Sequence, residues 1–283
     1  MLLASILLNH FALTLIKAIS KILIPILGQS LLLLIRNFLA AIALVIIALY
    51  YRQLSLKQYN SQIYGLYALR GIFQALAMQC GSIALVNGSI ANSTLVGFTE
   101  PLFVATLGYL ILGEYTTYRR VFCMLGCSFG VLILCQGSCN AQNLISIGYM
   151  LLANFFASCS IITSKRLVLA EGVLRSSAIT GCFVTIFLGF EYWQNTTATK
   201  LSNLSMVNFL FLLLSVFLVL IHRYCFLYTL KFANIDYIAM FQYLGIVMSV
   251  LLSHTIDSYQ FGITFDFNTL FGTLIILAFL YFS

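Results

Sequence analysis

Charged residues are scarce in this chain. Lysine and arginine number 14 and aspartate and glutamate 7 among 283 residues, or 7% in all, whereas soluble domains carry roughly 25%. So little charge cannot coat a globular surface of this size. Hydrophobic residues make up 62%, and the mean hydropathy is +1.04. The scarcity of charge therefore excludes an ordinary water-soluble domain and predicts a membrane protein.

Motifs for catalysis, metals and nucleic acid are also missing. The eight cysteines form no Cys-x-x-Cys pair and make no cluster with histidines of the kind that holds a metal. No phosphate-binding loop of the form Gly-x-x-x-x-Gly-Lys-[Ser/Thr] occurs. The acids and the three histidines are dispersed, and the basic residues stand singly or in pairs. We expect no catalytic residue, no metal, no cofactor and no nucleic-acid partner.

Long apolar runs, by contrast, recur from end to end. A spanning helix needs about 20 such residues. The runs predict ten helices over 2–22, 30–50, 63–85, 90–112, 119–137, 145–164, 175–193, 206–228, 234–256 and 267–282. The expected fold class is an all-α polytopic membrane protein with about ten transmembrane helices and short connections.

Loop charge predicts the orientation of these helices. If both termini are cytoplasmic, most basic residues lie on the cytoplasmic side, as the positive-inside rule requires. The residues expected there are Arg52, Lys57, Arg70, Arg119, Arg120, Lys165, Arg166, Arg175, Arg223 and Lys231. We expect a multi-pass protein of the cell inner (plasma) membrane.

Ten helices divide into two sets of five, which predicts halves at 1–140 and 141–283. Because five is odd, the second half inserts upside down relative to the first, as in many transporters with a central site. Aligning the halves puts Tyr243 opposite Glu100 and Leu244 opposite Pro101.

Glu100 precedes a proline inside the fourth predicted helix. Pro101 removes a backbone donor and favours a kink near Gly97. A carboxylate beside freed carbonyls offers a cation or a proton a place to bind, and an acid inside a membrane helix is a functional candidate. A structural acid bonded to a neighbouring helix is the alternative.

A set of residues in this order resembles a known family. Its members are Lys17, Pro25, Arg36, the block from Glu100-Pro101 to Gly113-Glu114, Gly126 and Gly130. They resemble the drug/metabolite transporter superfamily, EamA type. Leu69-Arg70-Gly71 and Tyr243-Leu244 are similar to the branch that contains S-adenosylmethionine uptake carriers. The resemblance implies two inverted five-helix repeats and transport of a small metabolite.

The residues selected as candidates fall into three groups. The expected substrate-binding residues are Glu100, Gln74, Asn92, Gln242 and Tyr243. Gating or contact with a substrate anion is expected of Lys17, Arg36 and Arg70, with anchoring at the membrane interface as the alternative. Structural roles are expected of Pro101, Gly113, Glu114, Gly126 and Gly130. Among these, Glu114 is expected to pair with Arg119 or Arg120, and the two later glycines to form a close helix seam.

The partners expected are a small-molecule substrate and the lipid bilayer, with protons or a counter-metabolite as the coupling partner. The protein is expected to be a monomer or a homodimer. Transport by alternating access is the favoured function. An exporter of amino acids or amphiphilic drugs on the same fold stays open, as do a membrane-embedded enzyme and a non-transporting scaffold.

Overall fold

The computed structural model describes residues 2–53, 61–87, 96–97, 99–115, 117–135, 144–194, 205–245, 247 and 267–281. For a few residues inside these ranges, Lys17 among them, only the backbone is described. Every regular element within the ranges is helical, and no strand occurs there.

Ten helices follow one another in the described residues. They are α1 Leu2–Leu27, α2 Gln29–Tyr50, α3 Ser61–Asn87, α4 Thr99–Leu107, α5 Tyr118–Cys135, α6 Leu144–Glu171, α7 Val173–Gln194, α8 Met206–Phe232, α9 Ile235–Phe241 and α10 Phe267–Tyr281. A π-helical segment, Gly108–Leu112, continues α4. The predicted all-α class and the count of ten are confirmed.

Length and composition suit these helices to a bilayer. By those two measures α1, α2, α6, α7 and α8 can each cross a membrane, and shorter apolar helices run over Thr99–Leu112 and Leu270–Tyr281. Large apolar side chains point outward, such as Leu110, which is 68% exposed, and Ile186, at 65%. Soluble monomers rarely expose so much apolar surface. The chain is a multi-pass membrane protein.

The helices form two compact units. The first unit comprises Met1–Ala75 and Thr163–Phe232, and the second comprises Leu76–Ile162 and Ala233–Ser283. In the first, α1 packs on α8 and α2 on α7. In the second, α5 packs on α10 and α4 on α9. Each unit thus joins helices from early and late in the chain. The halves 1–140 and 141–283 are a division along the sequence and stay a prediction.

Apolar packing holds the first unit together. Leu23, Leu27 and Leu32 of α1 and α2 are almost fully buried, and they belong to one cluster with Leu218 and Val219 of α8. Burying such side chains is favourable in water; between membrane helices the close contact itself supplies the attraction.

Candidate functional site

The candidate site lies in the second unit, at the start of α4. Glu100 is half-buried, and its Oε1 accepts a hydrogen bond of 3.1 Å from Nε2 of Gln242. Gln242 follows directly on the last residue of α9. Its own carbonyl oxygen, Oε1, is buried and accepts no hydrogen bond from the described residues. Two of the predicted binding residues are therefore brought together.

Polar side chains of α6 support the backbone beside Glu100. Nδ2 of Asn154 donates to the Val96 carbonyl at 2.7 Å and to the Thr99 hydroxyl at 2.9 Å. The Ser158 hydroxyl lies 3.3 Å from the Glu100 carbonyl oxygen and 2.7 Å from that of Asn154, and its single hydrogen is shared between these two acceptors. Asn154 and Ser158 are buried. A buried carbonyl without a donor costs free energy, so these contacts fix the first turn of α4 and the position of Glu100.

Pro101 is buried in the first turn of the described α4, which begins at Thr99. In a first turn its missing N–H removes no intrahelical hydrogen bond. The predicted kink involves residues 88–95 and 98, which lie outside the described residues, so it stays a prediction.

The chemistry of the pair is that of an acceptor site. The carboxylate of Glu100 can accept hydrogen bonds at both of its oxygens, and Oε1 of Gln242 accepts but cannot donate. Taking a carboxylate out of water is costly unless a positive charge or strong donors compensate for it. The arrangement therefore suits an ammonium group, an onium cation or a proton.

The other predicted binding residues are placed differently. Tyr243 is fully buried in the second unit, and its hydroxyl lies 2.8 Å from that of Ser128 on α5. Gln74 is half-buried on the part of α3 that belongs to the first unit. Asn92 lies outside the described residues. Within the described residues, no three His, Cys, Asp or Glu side chains are arranged to hold a metal ion.

Glu114, the second acid of the block from Glu100-Pro101 to Gly113-Glu114, caps a helix. Oε2 of Glu114 accepts a hydrogen bond of 2.7 Å from the backbone N–H of Ile235, the first residue of α9. Gly113 makes this possible because its φ of 68° ends the π-helical segment in the left-handed region, where glycine meets no steric penalty. Glu114 joins the end of one helix to the start of another.

Arg120, one of the two basic residues expected to pair with Glu114, forms an ion pair with Asp236 of α9. The Asp236 side chain is only 3% exposed, and sequence reasoning did not single it out. Its position in the first turn of a helix, after Asn234, could have identified it. A carboxylate there interacts favourably with the helix dipole.

Gly126 and Gly130 lie in the seam between α5 and α10. A Cβ atom at Gly126 would lie 2.5 Å from two ring atoms of Phe279, and one at Gly130 would lie 3.0 Å from the Gly272 carbonyl oxygen. Only glycine permits such close approach. The seam is a contact within one chain.

Two of the three predicted gating residues are buried in the first unit. Arg36 and Arg70 are 7% and 8% exposed. Nη1 of Arg36 donates to the Ser20 hydroxyl at 2.9 Å, and Nη1 of Arg70 donates to the Thr180 hydroxyl at 2.8 Å. Such burial argues against anchoring at the membrane interface. The Lys17 side chain lies outside the described part.

Arg223 was expected near a cytoplasmic helix end, but it lies well inside a helix. The structure extends α8 to Phe232, so Arg223 stands more than two turns from the end. Its Nη2 donates to Oδ1 of Asn37 on α2. Sequence reasoning missed this contact because the end of α8 was predicted too early, at residue 228.

Comparison with known proteins supports a transporter. Residues 1–136 match the model of the EamA-like transporter family. The chain is 26% identical over 250 residues to an S-adenosylmethionine uptake transporter of Rickettsia bellii, a match that covers 86% of this chain and 79% of the relative. The corresponding protein of Rickettsia conorii is 25% identical over 250 residues, with 86% and 78% covered.

A solved crystal structure of another protein has the same fold. It superposes with a TM-score of 0.76 at 16% identity and covers 99% of this chain and 98% of that one. Together these findings confirm the predicted resemblance to EamA-type transporters. The family and the relatives are described as transporters rather than enzymes. Residues 1–136 are thus similar to the EamA-like transporter family, and most of the chain is similar to proteins named as transporters.

Proposed function

We propose that this protein is a secondary transporter of the EamA type that moves a small cationic metabolite, such as S-adenosylmethionine, by alternating access. Glu100 receives the positive charge of the substrate. The two inverted repeats are the halves 1–140 and 141–283, and the protein works in the cell inner membrane with both termini in the cytoplasm. The relatives named as S-adenosylmethionine uptake transporters motivate the choice of substrate.

One observation carries the proposal. Nε2 of Gln242 is hydrogen-bonded to Glu100. The amide oxygen of Gln242, Oε1, is buried and has no donor among the described residues. A buried acceptor without a donor costs about 1–3 kcal/mol. A substrate that brings a positive charge and N–H donors removes this cost on binding.

The residues around Glu100 have different roles at this site. The amide of Gln242 orients the carboxylate of Glu100, while Asn154 and Ser158 hold the turn that carries it. A sulfonium or ammonium group is attracted by the carboxylate. Because Glu100 is half-buried, this attraction is stronger than it is in water. Transport needs an ion pair that also breaks, and a proton or a second metabolite that competes for Glu100 provides the release step.

The remaining predicted residues have secondary parts in this proposal. Tyr243 directly follows Gln242 in the chain, and the hydrogen bond between its hydroxyl and that of Ser128 fixes the turn after α9. Gln74 and Asn92 add polar contacts to the substrate. The protein functions as a monomer or a homodimer.

Uptake into proteoliposomes tests the proposal. The purified protein is reconstituted, and uptake of labelled S-adenosylmethionine, lysine, methionine and glutamate is measured with and without a pH gradient. Empty liposomes are the control. We expect the cationic substrates to be taken up above the control and glutamate not. Stimulation by the gradient supports proton coupling, while stimulation only by preloaded metabolite supports exchange.

The same vesicles test the alternative function, in which the protein is an exporter of amino acids. An exporter of amino acids would move lysine or methionine faster than S-adenosylmethionine. Uptake of neutral or anionic substrates alone, or no uptake of any member of the panel, contradicts the proposal.

A further inference from the structure

Three arginines of the first unit lie near one another, two of them buried and the third half-buried. Arg36 comes from α2, Arg70 from α3 and Arg223 from α8, and Arg223 lies within electrostatic range of both others. Each guanidinium is held by neutral groups. Arg36 donates to Ser20, Arg70 to Ser176 and Thr180, and Arg223 to Asn37. We refer to Arg36, Arg70 and Arg223 as the arginine cluster.

The cluster has donors to spare. Nε of Arg36, Nε of Arg70 and Nη1 of Arg223 are all buried, and none of them has a hydrogen-bond partner among the described residues. No described carboxylate lies within 4 Å of the cluster. Among the described acids of the first unit, Glu171 is bound by the Tyr67 hydroxyl at 2.6 Å and pairs with Arg175 at 3.2 Å. The other, Glu191, forms no ion pair with the cluster, and its Oε2 has no described partner.

Such a cluster is costly in this setting. Arginine stays charged because its guanidinium cannot lose a proton in a protein. Buried charges are normally paired, and like charges held close together repel each other. Serine, threonine and asparagine oxygens orient the guanidinium groups but carry no negative charge to balance them. An anion is the missing partner.

The surrounding backbone leaves space for the guanidinium of Arg223. A Cβ atom at Gly181 of α7 would lie 3.0 Å from Nη1 of Arg223 and 3.2 Å from Cβ of Ala41. The small residue thus lets this donor reach the interior between α2, α7 and α8. This Nη1 atom of Arg223 is the buried donor that has no hydrogen-bond partner among the described residues.

We propose that the arginine cluster binds the carboxylate of a small metabolite inside the first unit. The inference rests on the proposed function only for the class of ligand, a small metabolite, and it asks for no contact between that ligand and the second unit. A guanidinium presents a planar fork of N–H donors that matches the two oxygens of a carboxylate. S-adenosylmethionine carries a carboxylate as well as its positive charges. Lipid phosphates are the less suitable source of an anion, since Arg36 and Arg70 are more than nine-tenths buried.

Paired ligands that differ only in the carboxylate test this assignment. Binding to the purified protein in detergent is measured by thermal shift and by titration, with S-adenosylmethionine against its decarboxylated form and methionine against 3-(methylthio)propylamine. The wild type should prefer the carboxylated member by about tenfold or more, the range of a charge-assisted hydrogen bond.

Four variants locate the preference. In Arg36→Gln, Arg70→Gln and Arg223→Gln the preference should fall toward onefold, while Arg70→Lys should keep part of it because it keeps the charge but loses the fork. Arg52→Gln, at an exposed position after α2, is the control and should keep the full preference. If a glutamine variant is too unstable to purify, the Arg70→Lys result and the wild-type ratio still decide the question.

The outcomes separate the two proposals. A wild-type preference of onefold, or a full preference in Arg70→Lys and every glutamine variant that can be purified, overturns the anion site even where S-adenosylmethionine is transported. A preference for methionine that depends on the cluster supports the anion site even if S-adenosylmethionine is not taken up. Stabilisation by inorganic phosphate but by none of the carboxylates overturns the assignment to a substrate carboxylate.

Discussion

The two units treat charge in opposite ways. The second unit holds three described acids, and each accepts a hydrogen bond or ion pair from a defined donor: Glu100 from Gln242, Glu114 from Ile235, and Asp236 from Arg120. The first unit holds the arginine cluster, whose donors outnumber their described acceptors. One unit offers acceptors for a cation and the other offers donors for an anion.

The comparison also separates two kinds of charged residue. Charges at helix junctions, such as Glu114 and Arg120, bind groups of the same unit and join helix ends. Charges inside helices, such as Arg70 and Glu100, have hydrogen bonds to neutral side chains. Beside them, Nε of Arg70 and Oε1 of Gln242 are buried and have no hydrogen-bond partner among the described residues. We infer that residues of the second kind serve the substrate, and the predictions below challenge that division.

Glu100→Gln should give the largest effect. It keeps the size of the side chain but removes the charge, so uptake of a cationic substrate should fall by about 100-fold, or about 2.8 kcal/mol at 1.4 kcal/mol per tenfold change. Uptake is measured in proteoliposomes at equal protein content, with melting temperature as the test of folding. Thr106→Val, an exposed position on the same helix whose hydroxyl bonds only its own backbone, should transport normally. Full uptake by Glu100→Gln with an unchanged pH response would remove Glu100 from the site.

Gly126→Ala should destabilise the second unit. The new Cβ atom would meet the ring of Phe279 at 2.5 Å, and overpacking of this kind costs about 1–3 kcal/mol. The melting temperature in detergent is the measurement. Gly148→Ala on α6 is the matched control, because no described heavy atom beyond its chain neighbours and its own helix backbone lies within 4 Å of the new Cβ. Equal melting temperatures for the two variants would contradict the described seam between α5 and α10.

Glu114→Ala should lower stability by about 1–2 kcal/mol, since it leaves the buried N–H of Ile235 without its acceptor. Glu114→Gln keeps an acceptor oxygen and should lose less. Both variants should transport once uptake is corrected for folded protein. Loss of transport in a stable Glu114→Gln protein would show that the two acids do not differ in role.

Gly113→Ala should have the smallest effect. A φ of 68° costs an L-residue about 1 kcal/mol. Gly113→Asn should cost less, because asparagine tolerates the left-handed region. The order of melting temperatures should therefore be glycine, asparagine, alanine, and alanine equal to glycine would exclude the described helix end.

Most of the fold could be predicted from the sequence because apolar runs long enough to span a bilayer stand out from their short connections. Each of the ten predicted segments contains or overlaps a described helix. The errors are at helix ends. The end of α8 was predicted at residue 228, yet the helix continues to Phe232. Arg223 therefore lies further from the end of its helix than predicted.

The candidate site could be predicted only in part. Glu100 was identified because it is an acid inside an apolar run. Alignment of the halves put Tyr243, which directly follows Gln242, opposite Glu100. Neighbouring residues of a helical turn point about 100° apart, so the alignment could not decide which of the two side chains is hydrogen-bonded to the carboxylate. In the structure it is Gln242. The partners of Arg70 and Arg223 depend on tertiary contacts with α7 and α2, which periodicity does not encode.

We propose Glu100 as the group that recognises the positive charge of the substrate, and the other roles proposed at the site depend on it. The most direct measurement compares the affinities of wild type and Glu100→Gln for S-adenosylmethionine and for S-adenosylhomocysteine, whose sulfur is uncharged. We predict that the wild type prefers the charged ligand by about tenfold or more and that Glu100→Gln binds the two about equally, since tenfold corresponds to about 1.4 kcal/mol. The same ratio in both proteins would contradict the account.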